Sequence, residues 1–171
     1  GDRDLLELRL LGTRIKTLKP EDMLIYLCIH GTSHCWERLE MICSVAVLAG
    51  GGMIQDWTRV FIRAKALGCY RMILLGLGLA RDCFGIDLIP AAERSVAQDT
   101  CVEKLCAYIM DRMTKGKAAF SESLNWRFSP VHFQVRDSFR DRAAYFFRLF
   151  FRPTVREWDQ YPLPERFLFL Y

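Results

Sequence analysis

Between Arg71 and Arg81 the chain reads Met72-Ile-Leu-Leu-Gly-Leu-Gly-Leu-Ala80. A helix that is apolar on every side must be surrounded by other elements. Extended to about Tyr70–Phe84, this run therefore predicts the central helix of a bundle. Gly76 and Gly78 lower helix propensity, so their presence inside the run predicts close approach of a neighbouring helix. Gly85 and Pro90 punctuate its end. The uncharged stretch is far short of the roughly 18–20 apolar residues that cross a membrane.

Working back from this run, Gly68 closes a helix that starts at the N-cap Asp56, with Trp57, Val60, Phe61 and Ala64 at helical spacing. Before the loop Gly50-Gly51-Gly52 lies a helix with Trp36, Leu39, Ile42, Cys43 and Ala46 turned inward. Pro20-Glu21-Asp22 is a helix start: proline suits the first helical position and carboxylates suit the positive end of the dipole. Met23, Leu24, Leu27, Cys28 and Gly31 form its stripe, and Gly31-Thr32-Ser33 predicts a break or kink. Residues 12–18 read as an edge strand or an extended connector, and a strand there would need partners outside the chain, because an isolated strand is unstable. Residues 1–10 read as the tail of a helix.

Beyond the central run, a fifth helix is expected over about Ala91–Thr114, closed by Gly116. Residues 120–133 look irregular and aromatic. A sixth helix is expected from about Val135 to Phe151, with Val135, Phe139, Ala143, Phe146, Phe147 and Phe150 as one stripe and Pro153 as its stop. An extended Tyr161–Pro164 leads to the apolar end Phe167–Tyr171, which reads as truncation. The expectation is a mainly α protein: a bundle of five or six helices with a short N-terminal strand-like segment. Three segments follow: 1–18, a junction; 19–116, the bundle; and 117–171, an aromatic helix and extended tail packed on it.

Hydrophobic residues make up 51% of the 171-residue chain and charged residues 26%, so it can fold without staples. The net charge of +4 comes from 24 basic and 20 acidic residues, a balance that argues against nucleic acid as a partner. The seven cysteines include no Cys-x-x-Cys pair, and the charged N-terminus shows no signal peptide. A reduced, cytoplasmic protein without membrane contact is the expectation.

The most suggestive chemistry lies in His30-Gly-Thr-Ser-His34. Histidines four apart share one helix face, and that spacing suits a metal. A zincin would need Glu where Gly31 stands. Cys35, Glu37 or His132 would have to supply a third ligand, and the sequence selects none of them. The same histidines also read as turn-capping side chains, or as a polar wall that binds phosphate. No metal site is assigned. Arg136, Arg140, Arg148 and Arg152, with Arg142, make a basic face on the sixth helix, read either as a solvated face paired with Asp137 and Asp141 or as phosphate contacts. Gly76-Leu-Gly78 lacks the third glycine and strand of a dinucleotide fingerprint, and Gly50-Gly51-Gly52 lacks the Lys-Ser/Thr of a P-loop. Cys35 and His34 are adjacent, so on a helix they point about 100° apart. No paired catalytic carboxylates are present; Asp2 and Asp4 stand on a charged terminus with no strand or Gly-Ser turn before them.

The segment from Pro20-Glu-Asp-Met-Leu through His30-Gly-Thr-Ser-His34-Cys-Trp36-Glu-Arg38-Leu39 resembles P-E-D-x-L-x-x-L-x-x-H-G-x-x-H-x-W-x-R-L of the uncharacterised nucleotidyltransferase-like family, within the polymerase-β-type superfamily. The likeness runs on through Asp56-Trp57, Ala64, Gly68, the apolar run and Pro90, then Arg152-Pro153-Thr154, Trp158-Asp159 and Leu163-Pro164. It spans about residues 12–171.

The resemblance implies an upstream catalytic domain whose Gly-Ser turn and Asp-x-Asp bind Mg2+ ions and a nucleoside triphosphate. Those residues are not in this sequence. The chain would be the helical part C-terminal to that domain, inactive in isolation, with the domain and an unidentified acceptor substrate as its partners. His30, His34, Trp36 and Arg38 would face the cleft: the imidazoles bonding phosphate or substrate oxygens, Trp36 packing, Arg38 supplying charge. Ser44 stands where the family usually has Asp, which removes an ionic partner for this set. A rival reading is a non-enzymatic helical interaction module whose aromatic sixth helix docks a partner, with Leu5–Leu11 and Phe167–Tyr171 as partner surface. A third is a metal-binding module built on His30 and His34.

Overall fold

The computed structural model describes residues 5–115 and 130–138, together with 140, 142, 143 and 147. The protein is mainly helical, with a short two-stranded sheet at its N-terminal end.

Strands β1 (Leu5–Leu10) and β2 (Thr13–Leu18) pair antiparallel, with Leu10 opposite Thr13 and Leu5 opposite Leu18. The two-residue connection has positive φ at both positions, 49° at Leu11 and 82° at Gly12, as the twist of a tight hairpin requires. This corrects two expectations. Residues 5–10 are a strand rather than a helix tail, because Leu6, Leu8 and Leu10 alternate with Glu7 and Arg9 at period two. The partner of β2 therefore lies within the chain. Leu6, Leu8, Leu10 and Ile15 share one face of the hairpin and are all exposed.

Six helices follow in close succession: α1 (Pro20–Ser33), α2 (Leu39–Gly50), α3 (Trp57–Ala66), α4 (Tyr70–Phe84), α5 (Pro90–Gln98) and α6 (Thr100–Thr114). A short α7 spans Pro130–Gln134. In α4 every residue from Met72 to Ala80 is buried, and the helix contacts α1, α2, α3, α5 and α6. The close approaches expected at its glycines are present. A Cβ on Gly76 would lie 2.6 Å from Cys28 Sγ, and one on Gly78 2.8 Å from Cys106 Sγ.

Four further expectations are corrected. The break expected over Gly31–Ser33 is present, since α1 ends at Ser33, but the next helix starts only at Leu39, after Trp36, and its Leu39 and Cys43 are exposed rather than turned inward. The single helix expected over 91–114 is two helices, divided at Asp99, whose extended backbone (ψ 91°) ends α5 while its side chain caps the N–H groups of Cys101 and Val102. That capping bond offsets the orphaned donors of a new helix start. Part of the supposedly irregular 120–133 region is helical, as α7. Val135 to Asp137 are not helical, because Asp137 is drawn back to the start of α4, where it accepts from the N–H groups of Tyr70 and Arg71 at 2.9 Å. Phe139, Phe146, Phe150, Arg148, Arg152 and the 153–171 tail lie outside the described residues.

The chain divides into compact units Gly1–Asp137 and Ser138–Tyr171. In the second, the Arg142 N–H donates to the Ser138 carbonyl at 3.1 Å, a helical turn, and Phe147 is exposed. No helix among the described residues is long and apolar enough to cross a membrane.

Candidate functional site

Helix α1 is anchored at its N-terminal end. Pro20 occupies its first turn, and Glu21 and Asp22 are both buried. Glu21 Oε1 accepts from the N–H groups of Gln55 at 3.1 Å and Asp56 at 3.4 Å. Its carboxyl is held below the usual carboxylate range by its own main-chain N–H, then by those of Gln55 and Asp56 and the charge of Arg59, against the opposing effect of burial. Asp22 pairs with Arg63 at 3.1 Å and Arg59 at 3.9 Å. These contacts lock α1 to the start of α3.

At its other end α1 closes on a left-handed residue. The Trp36 N–H donates to the Gly31 carbonyl at 2.8 Å and the Cys35 N–H to the Thr32 carbonyl at 3.0 Å. This paired 6→1 and 5→2 bonding is a Schellman cap with His34 at the C-cap and Cys35, φ 51°, where glycine is usual. The following residue, Trp36, is also left-handed (φ 54°) and fully buried. Its indole fills a slot between two glycines. A Cβ on Gly31 would lie 2.5 Å from the ring, and one on Gly76 3.1 Å. Trp36 thus packs, and its Nε1 has no hydrogen-bond partner.

This closure leaves the imidazoles outside. His34 is exposed and His30 half-buried, their rings in tilted contact at 4.6 Å between centroids. Tyr26, one turn earlier and exposed, stacks on His30 at 5.8 Å and 12°. Three ring side chains at four-residue spacing therefore line one open face of α1. Sequence reasoning missed Tyr26, although the i, i+4, i+8 spacing signals it. Arg38, the N-cap residue of α2, pairs with Glu40 at 2.8 Å, with both side chains exposed. Ser44 Oγ donates to the Glu40 carbonyl within α2.

Sequence reasoning also missed a polar pocket of about 300 Å³ at the start of α4, lined by Lys65, Tyr70, Arg71, Asp99 and Asp137. Arg71 donates to Asp99 at 2.7 Å, a bond that raises its own pKa, and Asp137 occupies the helix N–H groups. The pocket is satisfied from within.

A Mg2+ ion needs clustered carboxylate oxygens. Among the described residues no group of three or more His, Cys, Asp or Glu side chains is placed to hold a metal. Glu21 and Asp22 are committed to α3.

The stretch from the hairpin through α4 is similar to the nucleotidyltransferase class. Residues 3–85 match the family described as "Uncharacterised nucleotidyltransferase". That match takes in β1, β2 and α1–α4, including His30, His34, Trp36 and Arg38, and it stops before α5. No curated protein and no solved structure matches the chain.

Proposed function

We propose that this chain is the helical part of a nucleotidyltransferase-like protein, packed C-terminal to a catalytic domain whose nucleotide or acceptor cleft it helps to form. The observation that supports this reading is the family match across α1, whose closing turn leaves His34 exposed and His30 half-buried, the two rings in mutual contact. The two imidazoles bond phosphate or acceptor oxygens, Arg38 exchanges Glu40 for an anionic ligand, and Trp36 holds the turn that presents them. Mg2+ and the nucleoside triphosphate are held by the catalytic domain, which supplies the phosphoryl chemistry.

The test is nucleotidyl transfer from a labelled nucleoside triphosphate by the protein that carries this chain together with its catalytic domain. His30→Ala, His34→Ala and Arg38→Ala are each expected to lower kcat/KM at least about tenfold, the scale of one lost charge-assisted hydrogen bond. Transfer unchanged in all three sinks the cleft role. A second reading, a helical interaction module, is favoured by the exposed leucines of the hairpin, with Leu11 98% exposed. It predicts no transfer activity in the whole protein, and loss of partner binding on Leu8→Lys.

A further inference from the structure

The turn after α1 holds a second pairing, away from the His30/His34 face. Cys35 Sγ lies 3.4 Å from His132 Nε2, joining the cap of α1 to α7. His132 is only 5% exposed, while Cys35 is half-buried. The left-handed backbone of Cys35 is a conformation that side-chain-bearing residues rarely adopt, and such outliers concentrate at functional sites. The negative C-terminal end of α1 favours the positive charge that the His132 imidazole gains on taking a proton. An imidazolium within hydrogen-bond reach in turn stabilises a thiolate.

None of the other six cysteines has this arrangement. Burial pushes the thiols of Cys28 and Cys83 up, that of Cys69 to about 11 and that of Cys106 to about 12. Cys101 Sγ donates to the Gln134 carbonyl at 3.5 Å. Cys43 is exposed and serves as an unassisted reference thiol.

We propose that Cys35 is the peroxide-reactive thiol of this protein, with His132 as its base. The thiol proton passes to His132 Nε2. The thiolate attacks one peroxide oxygen, an S–O bond forms as the O–O bond breaks, and the leaving alkoxide or hydroxide takes the proton back from the imidazolium. Sulfur is oxidised to the sulfenic acid and the peroxide is reduced to alcohol or water.

The test exposes the full chain to stoichiometric hydrogen peroxide at pH 7, traps sulfenic acids with dimedone, and follows all seven cysteines by mass spectrometry. Cys35 is expected to label at least about tenfold faster than Cys43. His132→Gln is expected to bring Cys35 down to the rate of Cys43 and to leave Cys43 unchanged. Labelling of Cys43 or Cys101 ahead of Cys35 overturns the proposal, as does an unchanged or raised rate at Cys35 in the variant. Should the variant fail to fold, the ranking in the unmodified protein decides alone.

Discussion

Glu21 and Asp22 lie about three turns from His30 and His34 at the opposite end of the same helix, yet the two pairs meet opposite fates. The acids are buried and bound to α3: Glu21 through backbone N–H groups, Asp22 through Arg63. The imidazoles touch each other and leave His34 exposed. At the start of α1 the polar groups complete the fold, because orphaned N–H donors and a neighbouring helix start need them. At the end of α1 the backbone caps itself, so the side chains there are not needed for closure.

The strongest way to break this contrast is to remove what closes the second end. Trp36→Ala empties a fully buried slot against Gly31 and Gly76 and is expected to cost about 3–5 kcal/mol in urea unfolding. Trp36→Phe keeps most of the ring and discards an indole N–H that has no partner, so its expected cost is below about 1.5 kcal/mol. Equal costs for the two variants would show that the slot does not hold the turn.

Next in size are the glycines on either side of that ring. Gly31→Ala places a methyl 2.5 Å from the Trp36 ring, and Gly76→Ala places one 2.6 Å from Cys28 Sγ. Overpacking of this kind is expected to cost about 1–3 kcal/mol. The Gly31→Ala cost is expected to shrink in a Trp36→Ala background, since the clash partner is gone. A double-mutant cycle reads that coupling directly.

The acidic end is sharpened by pH. The folded carboxyl of Glu21 titrates below its unfolded range, so its contribution is fully present above that range and is lost as pH falls through the folded value. Stability measured by urea unfolding is therefore expected to decline on acidification below about pH 4.5, the ordinary glutamate range. Glu21→Gln is expected to flatten that decline and to cost about 1–2 kcal/mol at pH 7, the scale of hydrogen bonds to a charged group. A variant with the same pH profile as the parent would assign the decline to other acids.

Much of this contrast was legible in the residues. Pro20-Glu21-Asp22 marks a helix start by chemistry that acts within one turn, and the uninterrupted run Met72–Ala80 marks a buried helix by composition alone. The turn after α1 was not legible. Gly31 reads as a breaker, but its reason is a tryptophan ring that returns over it, a contact that depends on two left-handed residues no propensity favours. The pairing of Cys35 with His132 joins positions 97 residues apart and needs the placement of α7. The hairpin went unread because Leu11-Gly12 replaces the usual Asn-Gly of such turns, so the alternating leucines stood without their turn signal.

The smallest expected effect is the most discriminating. If the imidazoles at the end of α1 are not part of the closure, His30→Ala and His34→Ala change unfolding free energy by less than about 0.5 kcal/mol each, as substitutions outside the buried core do. The double variant adds no more than the sum, apart from the few tenths that a ring contact between neighbours one turn apart contributes. Paired with the transfer assay, this separates a face held for a ligand from one held for the fold. Near-zero stability cost with lost transfer places the histidines in binding. A cost of 1 kcal/mol or more would make the two ends of α1 alike after all, both committed to structure.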